Sequence, residues 1–328
     1  MAATPALKLK DTKPRKVAIA CQGGGSHTAF TAGVLRWILR ETDDEIVGFS
    51  GTSGGAICAL LAWYGLVVRQ DRKQAIALLE AFWAENSANA VGDRLLNAWL
   101  VEAARLRGPV ALPEVSPYQY PPWGQDRLKG MLEHLVDFEE VQKPRPASPM
   151  LLVGAVNVQT GEFTRFKAGG KASQTEEKQY QPITVEAMLA SAAVPPLFRA
   201  VPIGGSLYWD GLFSQNPPIR DLPDARPDEI WVIQVNPQKR KTEPRSIAEI
   251  QDRRNELSGN LSLNQEIFFI ERVNQWVGKG LMAAGKHQVI PVRRIEMERD
   301  LDYPSKLDRS PAFIQDLMAY GEEQAKSF

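Results

Sequence analysis

The chain has 328 residues, with 39 basic and 39 acidic side chains and a hydrophobic content of 44%. This composition is typical of a globular protein with a large core, built as one α/β domain or two smaller ones. The balanced charge gives no field that would attract nucleic acid, so no nucleic-acid partner is expected. Two cysteines, Cys21 and Cys58, indicate neither a disulfide framework nor a zinc site, and they favour a reducing compartment.

The amino-terminal end predicts where the folded part begins. Residues 1–15 contain little apolar sequence, which predicts a flexible tail ahead of a single domain over 16–328, and they lack the apolar core of a secretory signal. The apolar run 56–68 is too short to span a bilayer and fits a buried helix. These features predict a cytoplasmic protein, with peripheral contact to a membrane surface left open.

Two strand–turn–helix units follow each other at the start of the domain. The apolar run Lys16–Cys21 predicts a buried strand that leads into a glycine-rich turn and an amphipathic helix over about 27–41. A second strand over Glu45–Ser50 leads into another glycine turn and a buried helix over 54–65. This order predicts a parallel βαβα unit whose ligand lies at the carboxyl ends of the strands.

The rest of the chain continues the α/β pattern. A mostly helical insertion, broken by prolines, is expected over about 71–136, beside the sheet and in a position to shape a lid. The remaining predicted elements are strands at 150–158 and 162–167 joined by a hairpin turn, a short helix at 185–193, strands at 207–209, 230–235 and near 288–293, a long helix to about residue 276, and a last helix near 312–326. Together they predict a three-layer α/β/α fold with a mostly parallel central sheet.

The second glycine turn reads Gly51-Thr52-Ser53-Gly54-Gly55, and it carries the first chemical signal. A serine with glycine two residues before and after it can occupy a sharp strand-to-helix turn, where its hydroxyl is exposed as a nucleophile. The first glycine turn, Gly23–Gly25, can present backbone N–H groups to an oxyanion. Taken by itself, that loop favours a phosphate-binding loop or a plain tight turn, and its pairing with Ser53 is what favours the oxyanion role. Because both turns end adjacent strands, their N–H groups are expected to face one pocket.

The base that would activate Ser53 has two candidates. Ser53, Asp210 and His287 have the chain order of an α/β-hydrolase triad, but only one strand precedes the Ser53 strand, and this disfavours that fold. Asp210 alone is the better candidate, since it ends an apolar strand and precedes Gly211. Burial among aromatic neighbours would raise its pKa from about 4, and a hydrogen bond would orient the serine hydroxyl. An ordinary Asp-Gly turn is the alternative. The remaining helical histidine, His134, is expected on the surface or in the core.

Taken together, these motifs resemble the patatin-like phospholipase family, specifically its bacterial soluble members. The glycine-rich oxyanion loop resembles residues 23–28, the Gly-x-Ser-x-Gly elbow resembles 51–55, and the downstream Asp-Gly motif resembles 210–212. Flanking sequence is similar at 136–139, 155–162, 190–198 and 216–218. The resemblance therefore covers about residues 16–325.

The resemblance implies a serine acyl hydrolase that cleaves fatty-acyl esters of phospholipids or related lipids. It implies a dyad without histidine, in which Ser53 is the nucleophile that becomes acylated and Asp210 is the base. It also implies that no metal or cofactor is required. The glycines with implied roles are Gly23, Gly24, Gly25 and Gly54 at the oxyanion hole, with Gly51, Gly55 and Gly211 supporting the turns.

Two positions depart from the family pattern. His27 and Thr28 stand where the oxyanion loop usually has a basic residue and a glycine, and Leu212 stands where a small residue is usual. His27 would partly replace the missing cation, either by stabilising the loop or, when protonated, by meeting an anionic head group. The alternative is that His27 is simply a residue at a helix amino terminus. Leu212 is expected to alter the acyl pocket.

Several alternatives stay open on the sequence alone. An acyltransferase would use the same elbow and oxyanion loop, and a catalytically weak lipid-binding protein would explain the altered loop. The aromatic segment 117–123 fits a membrane-facing lip or internal packing. The basic loop 239–245 fits contact with anionic lipid or an ordinary solvated loop.

Overall fold

The computed structural model describes residues 14–106, 115–171, 180–195, 197–282 and 287–328. The predicted flexible tail thus lies almost wholly outside the described residues. Within them, one mixed sheet is formed by nine strands, which are β1 Lys16–Cys21, β2 Glu45–Gly51, β3 Met150–Asn157, β4 Phe163–Ala168, β5 Tyr180–Pro182, β6 Val201–Ile203, β7 Ser206–Asp210, β8 Glu229–Gln234 and β9 Val292–Glu296.

The strand order is β5-β4-β3-β2-β1-β8-β9, and the β6–β7 hairpin joins β3. Five neighbouring strands are mutually parallel, and they lie in the order β3, β2, β1, β8 and β9. By contrast, β4 and β7 each pair antiparallel with β3. Cys21 of β1 pairs with Gly51 of β2 and with Ile233 of β8. The carboxyl ends of these three central strands therefore lie side by side at one edge of the sheet.

Helices cover both faces of the sheet. They are α1 Ala29–Glu41, α2 Gly54–Val67, α3 Arg72–Asn86, α4 Val91–Leu106, α5 Trp123–Leu135, α6 Phe138–Gln142, α7 Val185–Ser191, α8 Ile247–Gly278 and α9 Pro311–Lys326. Alternate residues of β1 enter different cores, since side chains of a strand point to opposite faces. Val17, Ile19 and Cys21 pack in the core with α1, α2 and α9, whereas Ala18 and Ala20 pack in the core with α8. This confirms the predicted α/β fold with a mostly parallel central sheet.

Most of the predicted elements are confirmed, and the differences have local causes. The helix predicted from His27 begins as a 3₁₀ turn, Gly25–Thr28, and becomes α-helical at Ala29. The strand predicted near 288–293 begins only at Val292. Ahead of it, the backbone N–H and C=O of Ile290 bond to the side chain of Asn274 on α8, so this segment is held by a helix before it enters the sheet.

Candidate active site

Ser53 lies in a strained turn between β2 and α2. Its backbone has φ 56° and ψ −132°, in the region that favours glycine. The flanking glycines leave no room for a side chain, because a Cβ on Gly51 would lie 2.5 Å from Ala56 Cα and one on Gly55 would lie 2.3 Å from Cys21 O. The sequence folds in this way because only glycine lets β1, β2 and α2 approach so closely around the serine.

Asp210 ends β7 and is fully buried. Its backbone pairs with Ala155 of β3, the strand beside β2, and this register brings the carboxyl group to Ser53. Oδ1 accepts a hydrogen bond from the Leu212 N–H at 2.7 Å, and Oδ2 is buried with no hydrogen-bond partner among the described residues. Burial raises the pKa of Asp210 to about 7, while the Leu212 N–H and the neighbouring Ser53 hydroxyl act in the opposite direction.

Three backbone N–H groups beside Ser53 are free to bind a ligand. Those of Gly24, Gly25 and Gly54 have no acceptor within the described ranges, and all three residues are at least partly accessible. Gly23 differs, because its N–H donates to Asn216 Oδ1 at 2.7 Å. The prediction that Gly23 contributes to the oxyanion hole is therefore corrected. A Cβ on Gly23 would lie 2.9 Å from Ser53 Cβ, so this glycine permits the close approach of the two turns.

His27 lies between the glycine loop and the turn that contains Ser305. Its ring is buried, and its Nε2 lies 2.7 Å from Ser305 Oγ. The Ser305 hydroxyl donates to Asp302 O, so the imidazole Nε2–H donates to Ser305. Burial, followed by the positive charge of Lys306, lowers the pKa of His27 well below its usual range. A neutral, buried ring does not support the predicted contact between protonated His27 and an anionic head group. Its position fits a link between the glycine loop and the turn that contains Ser305.

The other departures from the family pattern have structural roles. Thr28 Oγ1 donates to Gly25 O at 2.7 Å, which closes the glycine loop on itself. A Cβ on Gly54 would lie 2.2 Å from the same Oγ1, so Thr28 packs directly against the first residue of α2. Leu212 donates its N–H to Asp210, and its side chain lies beside Gly259 of α8.

The histidines suggested for other roles lie away from the Ser53 and Asp210 pair. His287 is exposed, and the next residue, Gln288, donates its side-chain N–H to Pro227 O, just before β8 begins. This is the amino edge of the sheet, opposite the edge that carries Ser53. The structure therefore does not support a triad with His287. His134 is exposed on α5, with Nδ1 3.3 Å from Glu85 Oε2.

Two side chains that hold the site together were missed in the sequence. Ser191, at the end of α7, is fully buried and accepts a hydrogen bond from the Ser53 N–H at 3.0 Å. Asn216 accepts from the Gly23 N–H and precedes a cis peptide bond to Pro217. Both lie in segments that resemble the family, but their spacing along the chain does not reveal their partners.

Gln22 is a third missed residue, and it ties β1 to β8 and α8. Its Oε1 accepts from the N–H groups of Val235 and Asn236 at 3.0 and 2.9 Å, and its Nε2 donates to Asn260 Oδ1 at 2.9 Å. A polar residue between a buried strand and three glycines was the available signal. Since Gln22 is fully buried, its side chain fixes the start of the glycine loop.

The described residues contain neither a candidate metal-binding cluster nor a helix that could span a membrane. None of their His, Cys, Asp and Glu side chains form a group of three or more that could hold a metal ion. None of their helices combines the length and apolar character needed to cross a bilayer.

This fold, with a serine elbow at the carboxyl edge of its parallel strands, is that of an α/β acyl hydrolase. Residues 19–223 match the family model described as patatin-like phospholipase, which covers more than half of the chain. The chain therefore belongs to the patatin-like phospholipase family, as its motifs indicated.

Two solved structures are similar to the chain at low sequence identity. VipD from Legionella pneumophila is 13% identical, with a TM-score of 0.42, and the match covers 96% of this chain and 66% of that one. The type III effector protein ExoU is 16% identical, with a TM-score of 0.36, and the match covers 96% of this chain and 52% of that one. The chain thus spans less than two thirds of the length of either protein. No curated protein sequence matches it.

Proposed function

We propose that this protein hydrolyses fatty-acyl esters of phospholipids or related lipids, with Ser53 as nucleophile and Asp210 as base. The observation that carries the proposal is the unpartnered Oδ2 of a fully buried Asp210 beside the serine of a strained elbow. A carboxyl group whose pKa is raised to about 7 can both accept and return a proton near neutral pH.

The first half of the reaction forms an acyl-enzyme. Ser53 Oγ attacks the ester carbonyl carbon while its proton passes to Asp210 Oδ2, and the carbonyl oxygen becomes an oxyanion. The free N–H groups of Gly24, Gly25 and Gly54 stabilise that charge. The tetrahedral intermediate then collapses, the bond to the alcohol oxygen breaks, and the leaving alcohol takes the proton from Asp210. The product is an acyl ester of Ser53.

The second half repeats these steps with water. Asp210 accepts a proton from water as the hydroxyl attacks the acyl carbonyl, and the same N–H groups bind the second oxyanion. Collapse of this intermediate breaks the bond to Ser53 Oγ, which regains the proton from Asp210. A fatty acid leaves and the enzyme returns to its starting state.

The aromatic segment 117–123 is the surface that we assign to transient membrane contact. Trp123 is 70% exposed and Tyr118 is 60% exposed, and indole and phenol rings favour the interface of a bilayer. Pro117 is buried, however, and Arg199 stacks on the Tyr118 ring, so part of the segment also packs internally. The basic loop 239–245 has less positive charge available for anionic lipid, because Arg240 pairs with Asp252 and Glu256 of α8.

A fluorophosphonate probe tests the proposal, because it reacts covalently with an activated serine. Wild-type protein should be labelled at Ser53 and should release fatty acid from a panel of phospholipids and neutral glycerolipids, whereas Ser53→Ala should do neither. A folded wild type that is never labelled would support a lipid-binding protein instead. Product analysis with an added alcohol separates hydrolysis from acyl transfer, since an acyltransferase would form the new ester in preference to free fatty acid.

A further inference from the structure

A lysine beside the glycine loop makes no direct ion pair with a carboxylate of the described residues. Lys306 belongs to the 3₁₀ turn Tyr303–Leu307, between β9 and α9. Its Nζ donates to the uncharged Asn236 Oδ1 at 2.8 Å, and across the described ranges it makes no ion pair with a carboxylate. Burial lowers the pKa of Lys306 to about 8, although the charges of Asp252 and Glu256 act in the opposite direction, so the ammonium group is still mostly charged at pH 7. A desolvated charge that makes no direct ion pair costs free energy, and an anionic ligand bound to it would offset part of that cost.

The two carboxylates whose charge acts on Lys306 are each bonded directly to an arginine. Arg240 bonds both Asp252 and Glu256, and Arg253 Nη1 donates to Glu256 Oε2 at 2.8 Å. The hydrogen bonds of these carboxylates therefore go to the two arginines, and Lys306 is left without a direct ion pair among the described residues.

The turn that carries Lys306 is held against the glycine loop. A Cβ on Gly25 would lie 2.5 Å from Lys306 O and 3.3 Å from Lys306 Cβ, so the two backbones are in contact. The hydrogen bond between His27 and Ser305, the residue before Lys306, holds the same two segments together. The base of the lysine side chain is therefore anchored beside a free N–H of the loop.

Tyr303 lies beside Lys306 in the same turn, with Lys306 Nζ 5.1 Å from the centre of the Tyr303 ring. Burial raises the pKa of Tyr303, and the charges of Asp210 and Asp252 raise it further. The Tyr303 hydroxyl makes no hydrogen bond in the part of the chain that the structure describes, so it is a free neutral donor.

We propose that Lys306 and Tyr303 form a head-group subsite that binds the phosphate of a phospholipid while its ester lies at Ser53. This subsite rests on the proposed function and narrows its substrate class to phosphate-bearing lipids. The phosphate accepts hydrogen bonds from Lys306 Nζ and the Tyr303 hydroxyl and forms the direct ion pair that Lys306 otherwise does not make. A neutral diacylglycerol lacks this group and cannot form that ion pair.

The test compares two lipids with identical acyl chains, phosphatidylglycerol and diacylglycerol, in the same mixed detergent micelles. The quantity measured is the ratio of kcat/KM for the phospholipid to kcat/KM for diacylglycerol. Lys306→Gln should lower this ratio by about tenfold or more, because a hydrogen-bonded charge pair is lost. Lys73→Gln is the matched control, since Lys73 is exposed at the start of α3, past the far end of α2 from Ser53, and it should change the ratio by less than about twofold.

Two additional variants keep the outcome decisive. Lys306→Met retains the apolar stem without the charge, so it provides a neutral variant if Lys306→Gln fails to fold, and it should lower the ratio to the same extent. Tyr303→Phe should lower it by a smaller factor. An unchanged ratio in a folded Lys306→Met or Lys306→Gln protein would overturn the subsite.

Inorganic phosphate is tested as an inhibitor of diacylglycerol hydrolysis, and this experiment distinguishes a lipid head group from free phosphate as the ligand of the subsite. Loss of this inhibition in Lys306→Met together with a lower lipid ratio supports the head-group subsite. Loss of inhibition with an unchanged lipid ratio would show a site for free phosphate and overturn the head-group assignment. A wild type that hydrolyses neither lipid and takes no fluorophosphonate label would overturn the proposed function instead, so the two failures are distinguishable.

Discussion

The site is built from two parts that reach Ser53 in different ways. The backbone part consists of the turns Gly23–Gly25 and Gly51–Gly55, which follow neighbouring strands and are complete within the first 55 residues. The side-chain part consists of Ser191 and Asp210, with Lys306 as the proposed head-group residue, and these three come from distant segments. The first part depends on local conformation, and the second depends on how the sheet and its helices pack. Substitutions should therefore change geometry in one part and charge or hydrogen bonding in the other.

Removal of the carboxylate should give the largest effect within the side-chain part. Asp210→Asn keeps the shape of the side chain but cannot accept the Ser53 proton, so kcat should fall about 10³- to 10⁴-fold. The rate of hydrolysis of a chromogenic short-chain ester measures this change in kcat. His287→Ala is the control, since this exposed residue lies at the opposite edge of the sheet, and its kcat should equal that of the wild type. If His287→Ala lost activity and Asp210→Asn kept it, the histidine triad would replace the dyad.

The backbone part should be most sensitive at Gly25. Its φ is +57°, and an added Cβ would meet Lys306 O at 2.5 Å, so Gly25→Ala should displace the loop and its N–H groups. We expect kcat to fall about 10²-fold, as when an oxyanion donor is lost, with a smaller change in KM. Gly161→Ala is a matched control, because its φ is +73° but no atom lies within 4 Å of the added Cβ. Equal activity in the two variants would remove the glycine loop from the catalytic machinery.

The difference between the backbone part and the side-chain part also explains which features were predictable from the sequence. The strands β1 and β2, both glycine turns and Ser53 were predictable because apolar runs and glycine positions report local conformation directly. Asp210 was found as a strand-end residue, and the family resemblance linked it to Ser53. The hydrogen bonds of Ser191, Asn216 and Gln22 were not predictable, since each depends on contacts across the fold. The burial of His27 was not predictable for the same reason, because it depends on contact with the turn at 303–307.

The pH dependence should show the raised pKa of Asp210 in both activity and stability. Only the ionised carboxylate accepts the Ser53 proton, so kcat/KM should rise with pH through about 7 and fall about tenfold per unit in the acidic range. The stability of the folded protein changes with pH in the opposite direction. The pKa of Asp210 in the folded state lies above its unfolded value of about 4, so the folded state binds the proton more tightly. This contribution to the free energy of unfolding is lost as pH rises from about 4 to 7.

Denaturant unfolding at pH 5 and pH 8 measures that stability term. Asp210→Asn has no proton to lose, so relative to wild type it should gain stability as pH rises, by up to roughly 4 kcal/mol over the full range between the two pKa values. The rate profile is measured with wild type on the short-chain ester. An activity midpoint near pH 4, or equal stability slopes for the two proteins, would contradict a buried Asp210 with a raised pKa.

The smallest expected effect tests the link between the two parts, which is the hydrogen bond from Ser53 N–H to Ser191 Oγ. Ser191→Ala leaves the N–H of a strained, buried residue without an acceptor, which costs about 1–3 kcal/mol. Because the elbow is strained, we expect Ser53 to be held less firmly in its position. Both kcat and the rate of fluorophosphonate labelling should then fall about tenfold, with little change in KM. Ser191→Thr keeps a hydroxyl and should recover much of the rate.

Ser87→Ala separates this positioning effect from a general loss of stability. Ser87 is also buried, and its hydroxyl donates to Trp83 O at 2.7 Å, at the end of α3 and outside the site. Its removal should lower the free energy of unfolding by about 1 kcal/mol, because Trp83 O keeps its bond from the Ser87 N–H, while the labelling rate of Ser53 stays at the wild-type value. If both alanine variants slowed labelling equally, Ser191 would act through stability alone, and the two parts of the site would be joined only by the packing of the sheet.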